Sequence, residues 1–313
     1  MRVFVTGATG VIGSRAVPLL VQAGHEVTAM TRSDANRETL RGMGARPVEA
    51  DLFDVASLRR AMTGHGAVVN LATHMPRSAK QMMLPWAWKM NDRIRRDGSA
   101  AVAAAARAEG VERMVQESFA PIYVDRGDEW IDESTPVMPA SYNRTVVDAE
   151  RSAERFTREG GTGVVLRFAA LYGPDPMLLE MLDVMRKGWS PLPGDPSAFF
   201  TSLAQDDAAS AVVAALGVPA GTYNVAEDEP MRRGEWVRSL AAAAGIAPPR
   251  AIPKWLTPLG GSAMRLLSRS QRISNRRFRA ASGWSPRYAC ARDAWGDVLQ
   301  SLPGRQRLAA AGD

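Results

Sequence analysis

The feature that most constrains this chain of 313 residues is its beginning, where an apolar run is followed at once by three glycines spaced three residues apart. Arg2–Thr6 has the composition of a buried β-strand, and Gly7, Gly10 and Gly13 open the segment that follows. Gly7 permits a tight turn, Gly10 lets the main chain approach a pyrophosphate, and Gly13 lets the next helix pack closely on the strand. The pattern therefore predicts a dinucleotide-binding turn in a βαβ unit.

Short apolar runs alternate with alanine-rich helical stretches through the first two-thirds of the chain. The successive segments are Arg2–Thr6, Gly13–Ala23, Glu26–Thr31, Ala67–Ala72, Gly98–Glu109, Arg113–Glu117, Tyr142–Glu159 and Val164–Phe168. Such alternation is typical of βαβ units, in which a parallel sheet is covered by helices on both faces. The sequence therefore predicts an α/β fold with a Rossmann-like, doubly wound parallel sheet.

The pattern loosens after Arg167 into segments punctuated by proline and glycine, although a helix over Ala204–Leu216 and a strand over Gly221–Val225 are still expected. We therefore expect two units. Residues 1–168 form the dinucleotide-binding domain, to which residues 200–225 also contribute. Residues 169–313 form a smaller C-terminal substrate-binding lobe that is partly interleaved with it.

Composition excludes several functional classes. One cysteine and three histidines cannot build a thiolate or multi-histidine metal site, so no metal is expected. The net charge of +6 from 39 basic and 33 acidic side chains is too small to predict nucleic-acid binding. No apolar run is long enough for a transmembrane helix, so we expect a cytoplasmic protein without a membrane partner.

The end of the second predicted strand bears on the choice of coenzyme. Proteins that prefer NAD place a carboxylate there, which accepts a hydrogen bond from the ribose 2′-hydroxyl. This chain has Thr31 followed by Arg32, and a guanidinium can pair with the 2′-phosphate of NADP. We expect NADP to be preferred over NAD, with a solvated loop cation as the alternative interpretation of Arg32.

Several ordered motifs carry a family resemblance that extends over nearly the whole chain. They are Thr6–Gly13, Asp51-Leu52, Val68–Ala72, Leu166-Arg167 with Tyr172–Pro174, Gly221–Val225 and Gly283–Pro286. The chain thereby resembles the extended short-chain dehydrogenases/reductases of the NAD-dependent epimerase/dehydratase group. The resemblance implies a Rossmann-like sheet, a C-terminal substrate lobe, a small-molecule substrate and a homodimer.

The resemblance also implies which residues contact the coenzyme. These residues are Gly7, Thr9, Gly10, Val11, Ile12, Gly13, Arg32, Asp51, Leu52, Leu71, Ala72, Thr73, Tyr142 and Phe168. In the family, a Tyr-x-x-x-Lys motif performs the acid–base chemistry, and a serine or threonine at the end of the fifth strand orients the substrate. Tyr142 occupies the tyrosine position, and we expect it to be catalytic.

Two positions depart from the family pattern. Val146 stands where the lysine is expected, and Phe119 stands where the hydroxyl is expected, which leaves Ser118 as the nearest catalytic helper. A tyrosine with an ordinary pKa of about 10 is almost wholly protonated at neutral pH. The neighbouring Glu117 has two interpretations, a proton-transfer group or a structural carboxylate.

These observations predict an NAD(P)-dependent oxidoreductase that reduces a carbonyl or interconverts a hydroxyl and a keto group on a small or sugar-like substrate. A neutral phenol can donate a hydrogen bond or a proton to a developing alkoxide but is a poor base, so the departure penalises alcohol oxidation more than reduction. The alternative is a homologue that binds the coenzyme but performs non-redox chemistry, or only senses it.

Overall fold

The computed structural model describes residues 1–76, 79–82, 84–252 and 261–302. The strands are β1 (Arg2–Thr6), β2 (Glu26–Met30), β3 (Arg46–Val48), β4 (Ala67–Asn70), β5 (Arg113–Phe119), β6 (Trp130–Ile131), β7 (Thr162–Phe168), β8 (Ala170–Tyr172), β9 (Phe199–Phe200), β10 (Ser202–Ala204), β11 (Gly221–Val225), β12 (Met231–Arg232) and β13 (Arg272–Ile273).

The helices follow the same order along the chain. They are α1 (Gly13–Gln22), α2 (Asp34–Gly42), α3 (Val55–Met62), α4 (Ala79–Met82), α5 (Lys89–Arg93), α6 (Ser99–Ala108), α7 (Val146–Arg158), α8 (Pro176–Arg186), α9 (Gln205–Ala214), α10 (Arg233–Ala243), α11 (Gly261–Leu267), α12 (Arg276–Ser282) and α13 (Ala291–Gln300). A 3₁₀ turn over Pro85–Trp88 leads into α5, and a π-helical turn over Ile94–Gly98 joins α5 to α6.

Seven strands of the described chain form one parallel sheet in the order β11-β7-β5-β4-β1-β2-β3. The predicted doubly wound sheet is thus confirmed. The chain runs in opposite directions across the sheet from β1, first through β2 and β3 and then through β4, β5 and β7. In sheets of this kind, ligands bind beyond the carboxyl ends of the strands at the point of reversal, here between β1 and β4.

Apolar side chains on both faces explain why helices cover the sheet on both sides. Val3 and Val5 of β1 pack with α1, α2 and α9, whereas Phe4 points to the other face and packs with α3 and α6. Strands buried on two faces carry near-continuous apolar sequence, which is what β1, β4 and β7 show.

The main departure from the expected elements is at the predicted helix over Tyr142–Glu159. The helix α7 begins only at Val146. Between residues 140 and 148 the chain forms four i to i+3 hydrogen bonds, which are donated by the N–H groups of Asn143, Val146, Val147 and Asp148. Tyr142 therefore lies in a turn before the helix. The other boundaries differ by a few residues at most.

The C-terminal part of the chain has a hydrophobic core of its own. Trp236 of α10 and Trp295 of α13 meet edge to face with their ring centroids 4.9 Å apart, and Leu182 of α8 packs in the same cluster. Strand β11 nevertheless lies in the main sheet beside β7. Within the expected lobe, 169–313, residues 253–260 and 303–313 lie outside the described residues. No helix in the described ranges is long and apolar enough to cross a bilayer.

Candidate active site

A row of polar side chains ties together the carboxyl ends of three neighbouring strands. Thr6 of β1 donates its hydroxyl to Asn70 Oδ1 of β4, and Asn70 Nδ2 donates to Gln116 Oε1 of β5 at 2.8 Å and to Ser99 Oγ at 3.2 Å. All four side chains are buried. The row fixes the first glycine turn, which follows Thr6, relative to the end of β5.

The glycine turn has a shape that only glycines allow. Gly7 has a φ of +67°, and a Cβ there would lie 2.4 Å from the Leu71 carbonyl oxygen. A Cβ on Gly13 would lie 2.2 Å from the Gly7 carbonyl oxygen. Thr9 and Gly10, at the tip, are exposed. The backbone thus forms an open cradle at the head of α1.

The start of α1 is prepared for an anion. Ile12 at the N-cap offers no side-chain cap, the first turn contains no acidic residue, and the N–H groups of Val11 and Ile12 donate to no other main-chain group in the described structure. Free N–H groups and the positive end of the helix dipole favour a phosphate at this position. The residues present therefore fit the pyrophosphate of a dinucleotide.

The end of β2 carries the two residues that bear on the choice of coenzyme. Thr31 is buried and its hydroxyl oxygen accepts from the Ser33 N–H at 3.2 Å, whereas Arg32 is exposed and forms no ion pair within the described ranges. Asn36 of α2 reaches back to the hydroxyl of Thr9 at 3.5 Å, which joins the segment after β2 to the glycine turn.

The other expected coenzyme contacts lie along the same edge of the sheet. Asp51 is exposed and accepts from the Phe53 N–H, while Leu52 is buried beside Gly98. Leu71 touches the glycine turn. Ala72 and Thr73 are half-buried. Phe168 is buried at the end of β7, where it pairs with Phe119 of β5 and Val225 of β11.

Tyr142 lies against Trp88, with ring centroids 4.5 Å apart and planes inclined by 53°. Burial raises the pKa of the Tyr142 phenol to about 12, and the positive charges of Arg95 and Arg269 only partly oppose this effect. The phenol is therefore neutral at physiological pH. It can donate a hydrogen bond or a proton, but it cannot serve as a ready base.

Ser118 is bound inside the protein. It is fully buried, and its hydroxyl donates to Glu150 Oε1 of α7. Glu150 also accepts two hydrogen bonds of 2.7 Å from the Arg167 guanidinium, which in turn donates to the Tyr123 hydroxyl at 2.8 Å. The Ser118 side chain therefore belongs to a structural network that joins β5, α7 and β7.

Glu117 lies at the end of β5 and forms an ion pair with Arg95 at 3.0 Å, where the two side chains are 12% and 4% exposed. This contact supports the structural interpretation of Glu117. Val146 is fully buried. Sequence reasoning missed Arg95, because its ion pair with Glu117 forms only in the folded chain.

No group of three or more His, Cys, Asp or Glu side chains in the described ranges could hold a metal ion.

The fold and the glycine cradle define an NAD(P)-dependent enzyme with the extended short-chain dehydrogenase/reductase fold. Residues 7–186 match the model of the NAD(P)H-binding family, which covers more than half of the chain. The chain therefore belongs to the NAD(P)H-binding family.

Known relatives include two reductases. The chain is 33% identical over 309 residues to a 3-diazoavenalumate denitrifying reductase of a Streptomyces species, a match that covers 95% of this chain and 99% of the relative. It is 29% identical over 198 residues to the 4-hydroxy-2-methyl-3-oxo-4-farnesyl-3,4-dihydroquinoline-1-oxide ketoreductase of Stigmatella aurantiaca, over 60% of this chain and 57% of the relative.

Solved structures share the fold across almost the entire chain. MoeE5 in complex with UDP-glucose and NAD superposes with a TM-score of 0.78 at 24% identity, over 98% of this chain and 100% of that one. The dTDP-glucose 4,6-dehydratase DesIV from Streptomyces venezuelae gives 0.77 at 22% identity, over 96% of both chains. At these identities, the likeness concerns the fold alone.

Proposed function

We propose that this chain is an NAD(P)H-dependent reductase of small molecules in which Tyr142 donates a hydrogen bond or proton to the group being reduced. The observation that carries the proposal is the half-buried Tyr142, which lies against Trp88 and whose phenol pKa is raised by burial to about 12. A neutral phenol can give a proton but cannot take one, so the site favours reduction over alcohol oxidation.

The coenzyme would be held by the residues along the carboxyl edge of the sheet. The cradle of Gly7, Gly10 and Gly13 would hold the pyrophosphate, Asp51 and Leu52 would border the adenine, and residues 71–73 with Phe168 would follow toward the reactive ring. When bound, NAD(P)H supplies a hydride. The exposed and unpaired Arg32 supports a preference for NADPH, because its charge is free to meet the 2′-phosphate.

The first candidate for the reduced group is a carbonyl. Its reduction takes one hydride and one proton and yields an alcohol. Tyr142 would provide the proton to the carbonyl oxygen, and water would restore the phenol. The name of the Stigmatella relative, a ketoreductase, supports this candidate.

A diazo group is the second candidate, and the relative named a denitrifying reductase, which matches over nearly its full length, favours it. An arenediazonium ion that takes up a hydride becomes an arene and releases N₂, with no proton consumed. Reduction of such an acceptor needs no proton relay. It would therefore be compatible with valine at position 146 and with a Ser118 hydroxyl that is bound to Glu150.

One experiment distinguishes these functions. The purified protein is titrated with NADPH and NADH by fluorescence. Coenzyme oxidation is then followed with a panel of ketones, quinones and aldehydes and with 4-carboxybenzenediazonium, after subtraction of the rate without enzyme. Coenzyme deuterated at C4 labels the product, so deuterium on a carbinol carbon identifies carbonyl reduction and deuterium on the arene identifies diazonium reduction.

Tight coenzyme binding without oxidation by any acceptor would contradict the reductase proposal and favour the non-redox or sensing alternative. Failure to bind either coenzyme would contradict both. The homodimer stays a prediction, which sedimentation velocity tests.

A further inference from the structure

One helical segment packs against the turn that carries Tyr142. Trp88 contacts Tyr142 with the ring planes inclined by 53°, and Asp92 accepts a hydrogen bond of 2.7 Å from the Thr145 hydroxyl. Arg95 follows in the π-helical turn Ile94–Gly98, which packs against α7. The segment that carries Arg95 therefore lies against both the turn of Tyr142 and α7.

Arg95 is a buried cation in an unusual stretch of helix. It lies in the π-helical turn Ile94–Gly98, a kind of distortion that is frequent at functional sites. Its side chain is 4% exposed and is bound by Glu117 through Nη2, while its buried Nε has no hydrogen-bond partner in the described structure. A buried ion pair with an unsatisfied donor is costly. The ion pair with Glu117 nevertheless holds the Arg95 guanidinium beside β5.

The charged groups around Tyr142 come from two sides. Arg95 approaches from the π-helical turn with its partner Glu117. Arg269 approaches from the C-terminal lobe, where its Nη1 donates to the carbonyl oxygens of Tyr123 and Met138 at 2.8 Å. Asp92 of α5 is already bonded to Thr145. Helix α7 contributes only the apolar Val146 at the position where a lysine was expected.

We propose that Arg95, oriented by Glu117, is a positioning residue for Tyr142 and supplies from α5 and its π-helical extension the positive charge that α7 lacks. The charge stabilises the phenol oxygen as its proton moves to the oxygen of the reduced acceptor. This inference rests on the proposed role of Tyr142 as donor. The direction in which Arg95 acts on the Tyr142 pKa, downward, agrees with it.

The test reads the phenol without any substrate. 3,5-Difluorotyrosine, whose phenol is more acidic than that of tyrosine, is placed at position 142, and its fluorine resonances are followed against pH in the apoprotein. We expect Arg95→Gln to raise the phenol pKa by about one unit, the lower end of what a nearby opposite charge supplies. Arg95→Lys should keep most of the shift.

The matched control is Arg96→Gln. Arg96 is the next residue in the same turn, but it is exposed and paired with Asp97. We expect it to leave the titration unchanged. Glu117→Gln removes the negative charge that opposes Arg95 and should lower the phenol pKa, which gives an opposite sign and a second variant if Arg95→Gln does not fold. An unchanged pKa in the folded Arg95 or Glu117 variants overturns the proposal.

A kinetic measurement separates positioning from general damage. With NADPH and 9,10-phenanthrenequinone as the probe, Arg95→Gln should lower kcat about tenfold, as the shift predicts, with little change in the KM for NADPH. In a Tyr142→Phe background, the same substitution should have no further effect. An equal loss in both backgrounds means that Arg95 acts on the structure rather than through Tyr142. If the quinone is not reduced at all, the proposed function fails on this probe, whereas the fluorine titration still decides the coupling.

Discussion

The two ends of the candidate active site are built in different ways. The coenzyme end is a continuous stretch from Gly7 to Gly13, in which main-chain geometry alone forms the cradle. The candidate reaction end is assembled from segments that are distant in the chain: Arg95 pairs with Glu117 of β5, and Trp88 contacts Tyr142. A site made of backbone tolerates few changes, whereas a site made of side chains can change its chemistry by a few substitutions. In this chain the glycine spacing follows the family pattern, whereas valine stands at position 146, where that pattern has lysine.

The largest expected effect is at the coenzyme end. Gly7→Ala puts a Cβ within 2.4 Å of the Leu71 carbonyl oxygen at a positive φ, so the turn must move. We expect the Kd for NADPH to rise by about 100-fold or more, because a displacement of the donors loses most of the phosphate contacts. Fluorescence titration measures it.

Gly24→Ala is the matched control for Gly7→Ala. Gly24 also has a positive φ, +82°, but no atom lies within 4 Å of its added Cβ. It should cost about 1 kcal/mol of stability and leave the Kd for NADPH nearly unchanged. Equal losses of binding in the two variants would show that backbone strain, not the cradle, is responsible.

Removal of the Tyr142 hydroxyl probes the reaction end. Tyr142→Phe keeps the ring contact with Trp88 but removes the donor, so we expect the kcat for ketone reduction to fall by about 100-fold while NADPH binding persists. Reduction of an arenediazonium should change little, since it needs no proton.

The pH profile of the wild-type enzyme gives a second measurement at the same residue. Because the Tyr142 pKa is raised to about 12, ketone reduction should show no loss from this group's ionisation below about pH 10. A tyrosine-dependent fall near pH 7, absent from Tyr142→Phe, would contradict the assignment of a neutral phenol.

A third region, the hydrophobic core of the C-terminal part of the chain, lies outside both ends of the candidate active site. Its stability should depend on pH through Glu227. Burial raises the pKa of Glu227 from 4.5 to about 7, although Tyr172 and Ser202 donate to the carboxylate. Because the folded protein binds the Glu227 proton more tightly than the unfolded chain does, protonation of this carboxyl stabilises the fold. That contribution is complete below about pH 4.5 and is lost as the pH rises through about 7. Between about pH 5 and pH 9, the wild type should lose about 2 kcal/mol from this group.

Glu227→Gln cannot ionise, so its unfolding free energy should lack that loss when denaturant melts are compared across the pH range. Glu229→Gln, an exposed neighbour, is the control and should follow the wild type. Parallel pH curves for wild type and Glu227→Gln would refute the prediction.

The smallest expected effect concerns coenzyme choice. Arg32→Ala removes a cation that has no partner in the described structure and should raise the Kd for NADPH about tenfold, a typical value for one charge-assisted contact, with the Kd for NADH unchanged. Arg41→Ala, an exposed arginine on α2, is the control. An equal effect on both coenzymes would exclude recognition of the 2′-phosphate.

The sequence predicted the sheet and the glycine cradle because both depend on local patterns. Alternating apolar runs specify β1, β4 and β7, and the spacing of Gly7, Gly10 and Gly13 specifies a turn whose side chains are irrelevant. The sequence predicted that β5 ends at Glu117, whereas the strand continues to Phe119. Apolar patterning does not mark the last residues that pair in a sheet.

The reaction end could be predicted only in part. Tyr142 was identified by family spacing, but its position in a turn depends on the four i to i+3 hydrogen bonds that delay α7. Ser118 looked like a helper from its position in the chain, yet its hydroxyl is bound by Glu150, 32 residues away. Arg95 left no local signal, because its partner Glu117 is 22 residues further along.

Asn70 has a consequence for how the candidate site tolerates change. Its amide accepts from Thr6 on one side and donates to Gln116 on the other, so the carboxyl ends of β1, β4 and β5 are joined by side chains as well as by the sheet. Loss of any one of these buried polar groups would leave its neighbour without a partner, which is costly. Substitutions in this row should therefore be accepted less readily than substitutions at the exposed tip of the glycine turn.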